Sequence, residues 1–132
     1  MSKWLNSLQP WGALLLRLVL GVSMAVHGYQ KVVPHGALAH FCHYIVTLGL
    51  PYWLGYVSAF TEFIGGSFLI LGLLTRLSAF LVAINMLFAL FLVGIHQGFG
   101  IWNYIAELAA IAIMLVFYGA GRLALDRKIG LA

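Results

Sequence analysis

Eight side chains in this sequence could do chemistry where their surroundings offer almost none: Arg17, His27, Lys31, Glu62, Asn85, His96, Asn103 and Glu107. Each lies inside or at the edge of a long apolar run. Glu62, in SAFTEFIGGSFLILG, must be protonated or paired there, because an isolated buried charge is costly. Arg17 opens RLVLGVSMAVHGYQK, and an arginine near mid-span costs about 2.5–3.5 kcal/mol on the insertion scale. Its long stem can snorkel to the nearer surface, or it can find an opposite charge on another run, for which Glu62 is the candidate. Proton relay, or hydrogen bonding to a polar head group, is the chemistry such a set can perform. The competing reading is a polar lock that sets helix register and does no chemistry.

Helical spacing groups these residues. At about 100° per residue, Arg17, Gly21, Met24, Gly28 and Lys31 share one stripe, with His27 at its flank. Asn85, Ala89, Leu92 and His96 share a second stripe, and Asn103, Glu107 and Met114 a third. In a membrane bundle such stripes turn inward. Counting about 1.5 Å per residue, Arg17 falls within side-chain reach of Glu62, while His27, Lys31, His96, Asn103 and Glu107 gather in the outer third. The expectation is an outward-opening polar cavity, with Arg17 and Glu62 as its floor and the other five as its rim.

The elements that must position these groups are transmembrane helices. Of 132 residues, 64% are hydrophobic and 8% charged, against about a quarter charged in soluble domains. Four apolar stretches, about 11–33, 52–74, 77–95 and 102–119, are each long enough to cross a hydrocarbon core. The expected fold is all-α, a single membrane-spanning domain over 1–132 built as an antiparallel four-helix bundle with short connections. Between the first two spans, PHGALAHFCHYIVTLGLP is bounded by prolines. Its Leu38, Phe41, Cys42 and Ile45 repeat at i, i+3, i+4, i+7, the pattern of a short amphipathic helix lying on the interface as a lid.

Charge placement gives orientation and excludes other classes. Lys3, Arg76, Arg122, Arg127 and Lys128 fall on one side of the spans and Lys31 alone on the other, so the positive-inside rule places both termini in the cytoplasm. The net charge of +4 is spread over ends and turns, without the clustered soluble face that nucleic acid requires. Ser23 and Ala25 form a small-x-small pair, but Arg17 interrupts the apolar core that a cleaved signal peptide needs. Cys42 is the only cysteine, which excludes an internal disulfide. Four spans leave no room for a soluble catalytic domain, so chemistry belongs to the bundle, its rims or a partner.

Three further patterns read mainly as structure. His27 and His96 could be paired axial haem ligands, but nothing around them marks the space a haem needs. His40 and His43, with His35 nearby, read as the wet face of the amphipathic helix more readily than as metal ligands. Gly65, Gly66 and Gly72 read as packing notches. No intrinsic cofactor and no metal is expected.

Taken in order, the arginine within the first span, HGYQK at its end, Glu62 with GG, LGLLTR, HQG, NYIAEL and GAGRLALD make the chain similar to the DoxX family over nearly its whole length. The resemblance implies a four-helix integral protein of the bacterial or archaeal cytoplasmic membrane. Relatives are associated with quinone-linked sulfur oxidation, thiol redox balance and oxidative-stress defence, often as small membrane subunits beside redox partners. It picks out Arg17, His27, Lys31, Glu62, Asn103 and Glu107 as matching positions. The chain departs at Ala124, where relatives often carry serine before the leucine and aspartate. The leading expectation is a membrane subunit of a redox complex, in contact with lipid and a protein partner, or with a second copy of itself. In that role the cavity would accept a quinone head, His27 or His96 and Lys31 donating to its carbonyls, or relay protons through Glu62 and Glu107. The alternatives are a non-catalytic anchor or assembly subunit, and a small-solute or proton transporter.

Overall fold

A computed structural model describes residues 1–131, and among these there are helices and no strands. A short helix α1 (Ser2–Ser7) leads into α2 (Gln9–Val32), with Pro10 in the first turn, where a missing N–H costs nothing. Helix α3 (Ala37–Thr47) follows. The second span is α4 (Trp53–Phe60), a π-helical turn (Thr61–Gly65) and α5 (Gly66–Leu71). Next come α6 (Thr75–Leu92), extended by a 3₁₀ turn over Gly94–His96, then α7 (Phe99–Tyr118) and the short α8 (Leu125–Lys128).

Four of these helical stretches are long and apolar enough to cross a membrane: Gln9–Val32, Trp53–Leu71, Thr75–His96 and Phe99–Tyr118. Large apolar side chains also cover the outside, including Val19, Val22 and Val26 on α2, Phe80, Phe88 and Phe91 on α6, and Phe117 on α7. A soluble protein would hide that surface, whereas lipid is its natural solvent. The chain is therefore a multi-pass membrane protein.

Small residues bring the helices close. α6 and α7 pack through Ala79, Ala83, Ala109 and Ala112, around Met24, Leu69, Val82 and Leu115. Glycines lock α2 to the second span: Gly21 faces Ile70 and the Gly66 carbonyl, Gly66 faces Ala25, and Gly28 lies against Phe63. A Cβ on any of the three would strike backbone. The partner numbers fall as those of α2 rise, which sets the register of the two spans. Helix α3 turns Cys42 and Ile45 inward, and the Cys42 Sγ fills the notch at Gly55 of α4.

Candidate functional site

The register carries Lys31, in the last turn of α2, to the level of Glu62 in the second span. Lys31 Nζ donates to Glu62 Oε2 at 2.7 Å, the only ion pair among the described residues. Asn85 Nδ2 of α6 donates to Glu62 Oε1 at 3.1 Å, and Ser58 Oγ donates to Asn85 Oδ1 at 2.6 Å. Both carboxylate oxygens are thus held by donors from two other spans. The Glu62 side chain is only 5% exposed, while 27% of Lys31 remains open. Helix α3 reaches the same group, since Lys31 Nζ stands 4.3 Å from the centre of the Phe41 ring, within cation–π range.

Glu62 lies inside the π-helical turn. Such a turn inserts an extra residue into the helical ladder and re-aims the side chains around it, and single π turns recur at functional sites. Here Ser58, four residues earlier, remains beside the carboxylate, joined to it through Asn85.

This polar group forms one wall of a cavity of about 520 Å³. Phe41, Tyr44, Ile45 and Leu48 of α3 and its end close one side; Leu54, Val57 and Thr61 of the second span and Leu81, Ile84 and Phe88 of α6 supply the rest. The space is mostly apolar, with the Lys31–Glu62–Asn85–Ser58 group at one end. A largely apolar pocket with a few convergent polar groups suits an amphiphile whose head makes directed hydrogen bonds.

The sequence-selected residues do not all meet here. Lys31, Glu62 and Asn85 converge, but Arg17 does not pair with Glu62 as expected. Arg17 is 1% exposed, and its Nη1 and Nη2 donate to the carbonyls of Ala120 and Leu123 at 2.8 and 2.9 Å. The glycine-set register is the reason: it puts Arg17 beside Gly72, at the end of the second span, about three turns from the level of Glu62. The floor assigned to Arg17 therefore belongs to a different polar cluster, formed with the carbonyls of the returning tail.

His27 turns toward α7 instead of the cavity. Its Nδ1 lies 2.6 Å from the Ser23 carbonyl, its Nε2 lies 3.3 Å from the Tyr104 hydroxyl, and that hydroxyl lies 3.1 Å from Ser23 Oγ. His96 and Glu107 are exposed and Asn103 is half-buried; none of the three lines the cavity. Glu107 is exposed on α7 and away from the cavity, so the expected rim does not form around the Lys31–Glu62 pair. His40 and His43 are exposed on α3, and His43 packs edge-on against Tyr52.

Sequence reasoning missed Ser58, Phe41, Tyr104 and Asp126. Ser58 had a usable signal, its i, i+4 spacing from Glu62. Asp126 stood in the quoted GAGRLALD motif, but its role as a cap could not be read from it because that depends on the tail folding back. Its Oδ1 and Oδ2 accept the Leu74 and Thr75 N–H groups at 2.6 and 2.8 Å, capping α6 from 52 and 51 residues away. Ala124, the position that departs from the resembled pattern, is buried against Gly72, and the tail contact is made around it.

Four apolar helices, the short helix α3 and a three-span polar cluster beside a cavity define a small multi-pass membrane protein. The chain belongs to the DoxX family, whose family model matches residues 12–96. It is 33% identical over 118 residues to a Bacillus subtilis protein named "Putative oxidoreductase CatD", covering 87% of this chain and 84% of that one. It is 30% identical over 138 residues to an uncharacterized protein of Haemophilus influenzae, covering 94% and 95%. No solved structure matches the chain.

Proposed function

We propose that the protein is a membrane subunit of a quinone- or thiol/sulfur-linked redox complex, in which the cavity beside Glu62 receives a quinone-like head. The observation that carries this reading is the pairing of one apolar cavity with one polar wall. Lys31 offers N–H donors to a ring carbonyl, and Glu62, already hydrogen-bonded on both oxygens, can pass a proton to a reduced oxygen when its contacts rearrange. The apolar remainder accepts a ring and the start of its tail. The name of the Bacillus subtilis relative agrees with redox work. Electrons come from a partner in this scheme, and the termini face the cytoplasm, following the distribution of Lys and Arg.

The test is binding and reduction of quinone analogues by the protein purified with its native partners. E62Q and K31M are expected to weaken analogue binding at least tenfold and to lower quinone-linked turnover, while K3Q leaves both unchanged. Wild-type complex that neither binds nor reduces the analogues, with E62Q silent, overturns the reading.

A specific observation also favours an assembly role. Glu107 is exposed halfway along α7 and has no ion pair among the described residues. A carboxylate at that depth calls for a partner supplied by another chain. E107Q or E107L is expected to release a partner from the mild-detergent complex. A complex unchanged by both variants excludes that surface.

A further inference from the structure

A second cavity, of about 440 Å³, opens at the end of the bundle where the first and last segments of the chain meet. It is unrelated to the Glu62 site and lies among helix ends instead of inside the spans. Asn6 and Gln9 come from α1 and the start of α2, Thr75 and Arg76 from the first turn of α6, Tyr118 from the end of α7, and Arg122 and Arg127 from the tail.

Its charge is one-sided. Arg76, Arg122 and Arg127 are all exposed, and none makes an ion pair among the described residues. The acid in the wall, Asp126, is 4% exposed and already accepts the two backbone N–H groups that start α6. It therefore caps the helix instead of neutralising the arginines. Thr75 adds a buried hydroxyl that has no hydrogen-bond partner. Three guanidiniums around one hollow present forked N–H donors, a geometry suited to phosphate oxygens.

The rest of the wall says what carries the phosphate. Leu74, Leu77 and Leu131 line the same cavity; Leu77 and Phe117, near the ends of α6 and α7, are 55% and 76% exposed. A charged head held among the arginines would have its apolar portion directed along these side chains. Basic pockets between transmembrane helix ends hold anionic head groups by this combination of charge and adjoining apolar surface.

We propose that this hollow is a binding site for a phosphate group carried by an anionic phospholipid, gripped by Arg76, Arg122 and Arg127. The head sits between the tail and the first turn of α6, and the acyl chains lie against Leu74 and Leu77. The lipid joins the tail to three spans at the end of the bundle that Arg17 and Asp126 also hold.

The experiment is native mass spectrometry of the full chain released from nanodiscs of zwitterionic phospholipid containing a graded fraction of anionic phospholipid, with inorganic phosphate titrated in a parallel arm. Wild type is expected to retain one anionic lipid with at least a tenfold preference over the zwitterionic one. R76Q/R122Q should lose about 25-fold in retention, roughly fivefold per arginine, with R76K/R122K recovering part of it and K3Q showing none of the loss. Equal retention of both lipids overturns the site, as does an R76Q/R122Q protein that melts like wild type and keeps its lipid. Displacement of the lipid by inorganic phosphate at comparable concentration overturns the lipid assignment and gives the site to a soluble anion.

Discussion

Glu62 illustrates how a buried acid is tolerated: each oxygen has a donor, and each donor comes from another span. Removing one partner leaves a charge without compensation, so E62A should cost about 3 kcal/mol in SDS-titration unfolding. The paired replacement K31M/E62L should recover more than half of that loss, because no lone charge remains. Arg17 makes a complementary case. R17M should insert more readily in a translocation assay, since it removes a cost of about 2.5–3.5 kcal/mol. The same variant should unfold at lower SDS, because the carbonyls of Ala120 and Leu123 lose their donors. Cys42 is buried against α4, and burial pushes its thiol above the ordinary range. The thiol stays protonated to higher pH than a free one. Its native-state reaction with maleimide at pH 8 should therefore be slow, rising as the pH approaches and passes the ordinary thiol range and becoming fast at any of these values once SDS unfolds the chain. At this scale the sequence told which side chains needed partners, since a charge inside an apolar run is conspicuous. It could not tell which partner each would find, because the pairing of Lys31 rather than Arg17 with Glu62 turns on an offset between helices.

Helix packing supplies that offset. Gly21, Gly28 and Gly66 admit backbone where any side chain would collide, so they set how far α2 slides along the second span. G28A should cost about 1–3 kcal/mol or more by overpacking and should weaken the Lys31–Glu62 contact. G12A, in open space, should remain within about 0.5 kcal/mol of wild type. SDS unfolding of both variants in one detergent provides the comparison. The second span ends in a Schellman turn, with Gly72 at φ 70° and the Leu73 N–H bonded to the Phe68 carbonyl at 2.9 Å. Gly72 answers two needs, the left-handed turn and the close approach of Arg17 and Ala124. The sequence marked Gly66 and Gly72 as notches. The π turn around Glu62 left no comparable mark, because TEFIG satisfies an ordinary helix equally well and neighbouring spans select the wider turn.

Across the whole molecule, polar groups hold two ends that the apolar core cannot hold by itself. At one end, α3 closes over Lys31 through Phe41 and seats Cys42 at Gly55. At the other, the tail returns so that Asp126 caps α6 and Arg17 binds the carbonyls preceding α8. D126A should therefore lose about 2–4 kcal/mol, since the two N–H groups that start α6 lose a charged acceptor. Limited proteolysis should then cut the tail near Arg122 in D126A and spare it in wild type.

The amino-acid sequence by itself determined the four apolar helices and the amphipathic helix between the first two, because hydrophobic period and length are local properties, and the order of its short motifs marked the resemblance to the family. It also marked the side chains that lipid would not tolerate alone. Only the tertiary structure decided that Lys31, Glu62 and Asn85 meet at a cavity, that Arg17 serves the tail, and that Glu107 faces outward. Those outcomes follow from the axial offset and rotation of packed helices. A few close glycine contacts set both, and the position of one residue along its own helix does not reveal them.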